Sequence, residues 1–228
     1  MSEKVWNEFW SKQENWNGWE CPAKEVLSLV ESQSPESRPN VLDLGCGLGR
    51  HAIDFARAEF TVTAIDSSKI AIVKLKEKAA LMGLTIETLV CDVLDFQSYK
   101  HFFDIIVSYN VIYHGSRNRF AKAIRHIHKL LKQQGIFFFS APTRQDGKYG
   151  FGEEVAPHTF CCEKSMTPGD IHYFANRADL DDLLSEYEIL SLAKDEGYWN
   201  NRGVQQFYSN WQVLTRKTKP AEDSTKVI

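Results

Sequence analysis

Val41-Leu42-Asp43-Leu44-Gly45-Cys46-Gly47-Leu48-Gly49-Arg50 is the stretch whose reading decides the fold. Val41–Leu44 is a short, mostly apolar strand cut off by glycine, and Arg50–Arg57 reads as a helix that starts at once. Gly45 and Gly47 let the main chain approach a ligand with no Cβ in the way. Gly49 opens the helix, whose first amides have no partner inside it. The spacing G-x-G-x-G is one residue shorter than the dinucleotide fingerprint. Asp43 is a carboxylate in an apolar strand end, so it needs hydrogen bonds from the glycine amides or a ligand ammonium.

Outward from this turn, strands and helices alternate. Phe60–Ile65, Thr85–Val90, Phe103–Val107 and Ile136–Ser140 are strand-length apolar runs. Pro22–Val30, Ser67–Met82 and Arg119–Leu131 carry helical periodicity, the first broken by Ser34–Pro39 and the last stopped by Gly135. Continuous apolar strands alternating with helices predict an α/β fold, a parallel sheet covered on both faces. Pro142–Ile171 shows no period and reads as a long loop or lid. Asn176–Ser185 predicts a helix, and Glu188–Leu192 and Gln206–Arg216 two closing strands. Trp6, Phe9, Trp10, Trp16 and Trp19 cannot all face water without cost, so the N-terminal segment is expected to pack on the body. The expected organisation is an aromatic arm and helix at 1–37, one domain at 38–216 with a lid insertion at about 142–172, and a frayed tail at 217–228.

The 228 residues suffice for one large domain, and 43% hydrophobic content supplies its core. A net charge of −3 with no basic stripe excludes a nucleic-acid footprint. No apolar run nears the roughly 20 residues of a membrane span, and the N-terminus has no signal-peptide h-region. Five cysteines without CxxC spacing predict neither a disulfide framework nor a zinc knuckle. Reduced thiols and a cytoplasmic location are expected.

Ligands of a doubly wound sheet bind beyond the carboxyl ends of its strands. Asp66 ends the second strand, where a carboxylate accepts two ribose hydroxyls, and Cys91-Asp92-Val93 ends the third, where an acid meets an adenine amino group. Val41–Arg50, Asp66, Cys91-Asp92 and Phe103-Asp104-Ile105-Ile106-Val107-Ser108 together resemble the motifs of class I S-adenosylmethionine-dependent methyltransferases, over about residues 38–140. The resemblance implies a Rossmann-like, seven-stranded, mostly parallel sheet with helices on both faces and an antiparallel last strand. It implies S-adenosylmethionine as cofactor and S-adenosylhomocysteine as product. Asp43, Gly45, Cys46, Gly47 and Gly49 would flank the methionine end, and Asp66 with Ser67 the ribose. Asp92 and Val93 would hold the adenine, and Tyr109 and Asn110 the methionine part. Gly150–Phe160, Gly169–Phe174 and Ser209–Leu214 are similar to the tellurite-resistance-type small-molecule methyltransferases. That family commonly has His where Asn210 and Gln212 stand here, so its substrate does not carry over.

Methyl transfer from a sulfonium is an in-line displacement, so the protein mainly aligns the acceptor. Tyr113, His114 and Arg50 are the catalytic candidates. His114 is read as a base near neutral pH or a capping histidine. Arg50 is read as a grip on an anionic group or a surface ion pair. Trp10, Trp16, Trp19, Arg144, His158 and His172 are expected to close over the substrate from arm and lid. A set of His158, His172 and Cys162 lacks the spacing of a ligand pair, so no metal is expected. Cys161 and Cys162, adjacent in an extended segment, point to opposite faces and cannot grip one ion. A small-molecule acceptor (thiol, amine, carboxylate or metalloid oxyanion) is expected, with no nucleic-acid or membrane partner, in a monomer or homodimer. The alternatives are a cofactor-binding sensor without chemistry, or a nucleic-acid or protein methyltransferase.

Overall fold

The apolar runs become β1 (Asn40–Leu44), β2 (Thr61–Asp66), β3 (Glu87–Val90), β4 (Phe103–Ser108) and β5 (Leu131–Pro142) of one sheet. A computed structural model describes residues 3–16, 19–32, 39–97, 102–161, 167, 169–201 and 204–218. β9 (Tyr187–Asn201) and β10 (Val204–Lys217) complete a seven-stranded sheet of order β3-β2-β1-β4-β5-β10-β9. β1 pairs in parallel with β2 and β4, and β2 with β3 and β4 with β5 likewise. β10 runs antiparallel to both β5 and β9. The chain thus has the Rossmann-like fold with its last strand reversed, and the strand order turns around between β1 and β4.

β1, β2, β4 and the second half of β5 are mostly apolar because both their faces are covered, whereas β3, at the sheet edge, is largely exposed. Leu42, Leu44, Ile65, Ile106, Phe137 and Phe139 enter one core. Val41, Val62, Ala64, Ile105, Val107 and Phe138, one residue out of phase, enter the other. α5 (Arg117–Leu130) and α6 (Arg177–Leu183) cover the first face through Phe120, Ile124, Ile127 and Leu180. α2 (Lys24–Glu31), α3 (Arg50–Arg57) and α4 (Lys69–Leu81) cover the second through Val26, Phe55, Ile72 and Leu75. Caps set the helix starts: Ser68 accepts from the Ala71 amide, Ser116 from that of Arg119, and Asn176 forms a capping box with Asp179. α1 (Glu3–Ser11) lies on α4, where Asn7 Oδ1 accepts from Ser68 Oγ at 2.8 Å.

Gly49 caps α3 with φ +81°, and a Cβ there would stand 2.2 Å from Leu75 Cδ1. Gly49→Ala combines left-handed strain with overpacking of a buried leucine. It is expected to destabilise the protein by about 2–4 kcal/mol in urea unfolding.

Two segments differ from the sequence reading. Pro142–Ile171 is not structureless: β6 (Glu153–Ala156), β7 (Thr159–Cys161) and β8 (Ile171–Tyr173, running just past it) form a small antiparallel sheet. Strands of three or four residues are too short to display a period. β9 extends well beyond Glu188–Leu192, to Asn201, because Lys194-Asp195-Glu196-Gly197 interrupts the apolar alternation, whereas β10 exceeds Gln206–Arg216 by only two residues at its start and one at its end. Lys217 belongs to β10, its Nζ donating to the carbonyls of His128 and Leu131. Ser34–Arg38, Cys162 and the tail beyond Thr218 lie outside the described residues. Among the described residues no helix is long and apolar enough to cross a membrane.

Candidate functional site

A cleft with about 670 Å³ of atom-free space opens at the carboxyl ends of β1–β4. Its floor is the turn after β1. The amides of Gly45 and Cys46 donate to the Ile65 carbonyl at 2.8 and 3.0 Å, which ties the turn to β2. Gly45 and Gly47 take φ +67° and +52°, the left-handed region that glycine reaches without strain.

Asp66 lies at the centre of this floor. Its Oδ2 accepts from the Gly47 amide at 2.9 Å and its Oδ1 from that of Ser68 at 2.7 Å. Burial outweighs these bonds and pushes its pKa up to about 6. Ser67 lines the cleft beside it. Asp43 does a different job: its Oδ2 accepts from the Ala52 amide at 3.1 Å. Gly49 has no side chain to cap α3, so the carboxylate from β1 replaces the missing cap. Burial raises Asp43 to about 7 against the Ala52 bond and Arg50. Asp43 and Gly49 do not line the cleft, whereas Gly45, Cys46 and Gly47 do. Burial, with Asp66 and Asp43 nearby, holds the Cys46 thiol protonated.

Cys91, Asp92 and Val93 form the wall after β3. Asp92 is held by Arg119, whose Nη2 lies 2.7 and 2.6 Å from its two oxygens. Tyr109, Asn110 and Val111 form the wall after β4. Asn110 is left-handed at φ +60° and locked by Ser140, whose Oγ accepts from its amide and donates to its Oδ1, both at 2.8 Å.

The roof is aromatic. Trp6, Trp10 and Trp19 line the cleft, and the ring of Trp10 sits where a Cβ on Gly47 would point, 2.8 Å away. The indole N–H groups of Trp6 and Trp10 are buried without a partner, two donors at the cleft that a ligand can satisfy. Trp16 does not line the cleft; its Nε1 donates to the Trp10 carbonyl at 3.2 Å and so steadies the arm. Arg50 is held between Trp19 and Tyr109, 5.2 and 4.9 Å from the ring centroids, with one N–H on the Cys21 carbonyl. Behind it His51 accepts from the Ala23 amide and faces Tyr109. Burial, then Arg50, lowers its pKa to about 3 and keeps the ring neutral.

His114 closes the far end of the cleft against Trp6, their ring centroids 5.0 Å apart. One ring nitrogen is hydrogen-bonded and the other, Nδ1, has no aligned partner. Nε2 lies 3.1 Å from the Asn110 carbonyl and Nδ1 2.6 Å from Oδ2 of Asp170. Tyr113 is buried behind it, stacked on the ring at 4.4 Å, and does not reach the cleft. From the lid, His172 approaches the same Asp170 oxygen at 3.4 Å, and burial lowers its pKa to about 4. Arg144 and His158 do not line the cleft: Arg144 pairs with Asp179 at 2.8 Å, and His158 Nδ1 meets the Tyr149 hydroxyl at 2.7 Å.

Trp6, His51 and Asp170 are absent from the sequence-derived site. Trp6 shares its arm with the named tryptophans, and α3 spacing from Gly49 places His51 on the turn that faces the loop after β4. Asp170 carries no signal of its own, because only the pairing of β8 with the 113–115 segment brings it to His114.

Residues 41–135 match the family model described as a methyltransferase domain. A Geobacillus sp. (strain WCH70) protein that carries a methyltransferase name is 22% identical over 158 residues, 65% of this chain and 63% of that protein. The ubiquinone biosynthesis O-methyltransferase of Rickettsia prowazekii (strain Madrid E) is 27% identical over 185 residues, covering 77% of this chain and 72% of that one. The chain therefore spans less than two thirds of the first relative's length. Among solved structures, TehB from Haemophilus influenzae superposes with a TM-score of 0.68 at 21% identity, over 93% of this chain and 67% of that one.

Proposed function

We propose, for a chain that belongs to the class I S-adenosylmethionine-dependent methyltransferases, that it moves the cofactor's methyl group to a small-molecule acceptor within the cleft. The observation that carries this reading is the aromatic roof. Trp6, Trp10 and Trp19 fold over a glycine floor whose central carboxylate, Asp66, lines the cleft. A cleft covered in this way favours a small molecule over a polymer.

The residues present suit the cofactor. Asp66 would take the ribose hydroxyls, the Cys91–Val93 wall the adenine, and Arg50 the carboxylate of the methionine part. The indole faces and the Tyr109 ring favour the positive sulfonium. The cofactor supplies an activated methyl whose bond electrons return to sulfur on transfer, leaving S-adenosylhomocysteine, while the acceptor's proton passes to solvent. What this chain contributes is alignment and exclusion of water. His114, fixed by its Nε2 on the Asn110 carbonyl and by its place beside Asp170, acts as a wall that places the acceptor. The O-methyltransferase name of the Rickettsia relative favours testing hydroxyl acceptors early. The reduced thiols Cys21, Cys46 and Cys91 suit a cytoplasmic setting.

The test is formation of S-adenosylhomocysteine by the purified chain with hydroxyl compounds, amines, thiols, carboxylates, tellurite and selenite. Turnover with at least one small acceptor is expected. Tight cofactor binding with no turnover on any of them favours a sensor.

Affinity for the cofactor should also depend on pH. The ribose hydroxyls need Asp66 as a carboxylate, and its pKa in the free protein is about 6. Binding therefore competes with protonation: affinity is level above pH 7 and about tenfold weaker at pH 5, one decade per pH unit below the pKa. Titrations across that range check the sign, and affinity that rises toward pH 5 contradicts it.

A further inference from the structure

We propose that His114 Nδ1, Asp170 Oδ2 and His172 Nε2 form a binding site for a divalent first-row transition ion of the zinc kind, which clamps the lid to the loop after β4. These three atoms lie within 4.8 Å of one another. Each is buried, and none has an aligned hydrogen-bond partner. Unsatisfied polar atoms are costly inside a protein, and three converging on one point need a shared partner.

The tautomer of His114 sharpens the case. Nε2 faces the Asn110 carbonyl at 3.1 Å, and a carbonyl only accepts, so Nε2 carries the hydrogen. A neutral ring then turns the Nδ1 lone pair onto a carboxylate oxygen 2.6 Å away, which repels it unless a cation joins them. A proton on His114 would satisfy that pair alone. His172 Nε2, 3.4 Å from the same oxygen without alignment, is a third donor that a single proton cannot serve.

The chemistry of the set suits zinc: two imidazoles and one carboxylate, with a fourth tetrahedral position left for water or another ligand. Metal-ligating histidines characteristically donate their other ring N–H to a carbonyl or carboxylate, as His114 does. Around a tetrahedral ion with bonds near 2.05 Å, ligand atoms stand about 3.3 Å apart. The 3.4 Å pair already has this spacing, and the 2.6 Å pair must open by less than roughly an ångström. The backbone assembles the site by itself. The Gly115 amide donates to Ile171 at 2.6 Å and that of Tyr173 to Tyr113 at 3.0 Å, which places His114 opposite His172. This departs from the expectation of no metal drawn from spacing, because the ligands come from two segments that only the fold joins.

The test uses the full chain stripped with a chelator and titrated with Zn²⁺ or Co²⁺, metal content and spectra being read without substrate. One ion per chain is expected, with a tetrahedral Co²⁺ spectrum free of thiolate charge transfer. Asp170→Asn and His172→Gln should each weaken binding by at least about 100-fold. Should the variants not fold, the wild-type Co²⁺ spectrum decides alone. Absence of stoichiometric binding, a thiolate signature, or affinity unchanged in both folded variants overturns the site. Because the readout is metal binding, its failure leaves the methyl-transfer reading standing.

Discussion

Asp66→Ala is expected to raise the dissociation constant for S-adenosylmethionine by at least about 100-fold while the chain stays folded. Two hydroxyl bonds to a charged acceptor contribute about 1.5–3 kcal/mol each, and 1.4 kcal/mol corresponds to a factor of ten. Their sum therefore reaches two to four decades. The same carboxylate anchors the Gly47 and Ser68 amides, so alanine also loosens the floor. Stability should suffer less than binding. A carboxylate whose pKa is raised to about 6 is disfavoured as an anion in the free protein at neutral pH, and alanine removes that penalty. Asp66→Asn keeps one acceptor of the same shape and should lose less affinity than alanine. Calorimetry with thermal unfolding on the same samples separates the two effects, and wild-type affinity in the alanine variant contradicts the assignment.

Deleting residues 1–19 is the second large effect. Among the described residues the two main cores contain none of this arm, whose buried Phe9 and Trp10 form a separate small cluster with Leu48 and Ala71. The truncated chain should therefore fold. It loses the roof, the contact of Trp6 on His114 and the grip of Trp19 on Arg50. Misplacement of a reacting group by about 1 Å can cost 100-fold, and an open cleft also admits water. A fall in kcat/KM of at least about 100-fold is expected, with little change in the circular dichroism of the sheet. An unfolded truncation or one of full activity contradicts it. Trp10→Ala repeats the test at one position.

The half of the chain around the glycine turn was legible because its central strands are buried on both faces and α4 and α5 start at the side-chain caps Ser68 and Ser116. α3 falls where the sequence places it, Arg50–Arg57. The start of α4 moves from Ser67 to Lys69 because Ser68 is its cap rather than its first residue. Local signals end where tertiary pairing begins. Nothing in Gly169-Asp170-Ile171-His172 states that it will lie along the loop after β4, and the strands that carry it there are too short to show alternation. Asp43 shows the same limit within a legible motif. Its burial was foreseeable, but its partner, the Ala52 amide, follows from Gly49 having no side chain with which to cap α3. The tryptophan arm was legible as something that must be covered, and its seat on α4 only from the fold.

Where the cofactor lies and what covers it are tested most directly by a structure of the complex with S-adenosylhomocysteine. The predicted result has the adenine at Cys91–Val93 and the ribose hydroxyls on Asp66. The sulfur should lie between Tyr109 and His114, under a closed roof of Trp6, Trp10 and Trp19. A ligand bound elsewhere would contradict the account, as would an arm displaced from an open groove wide enough for a polymer.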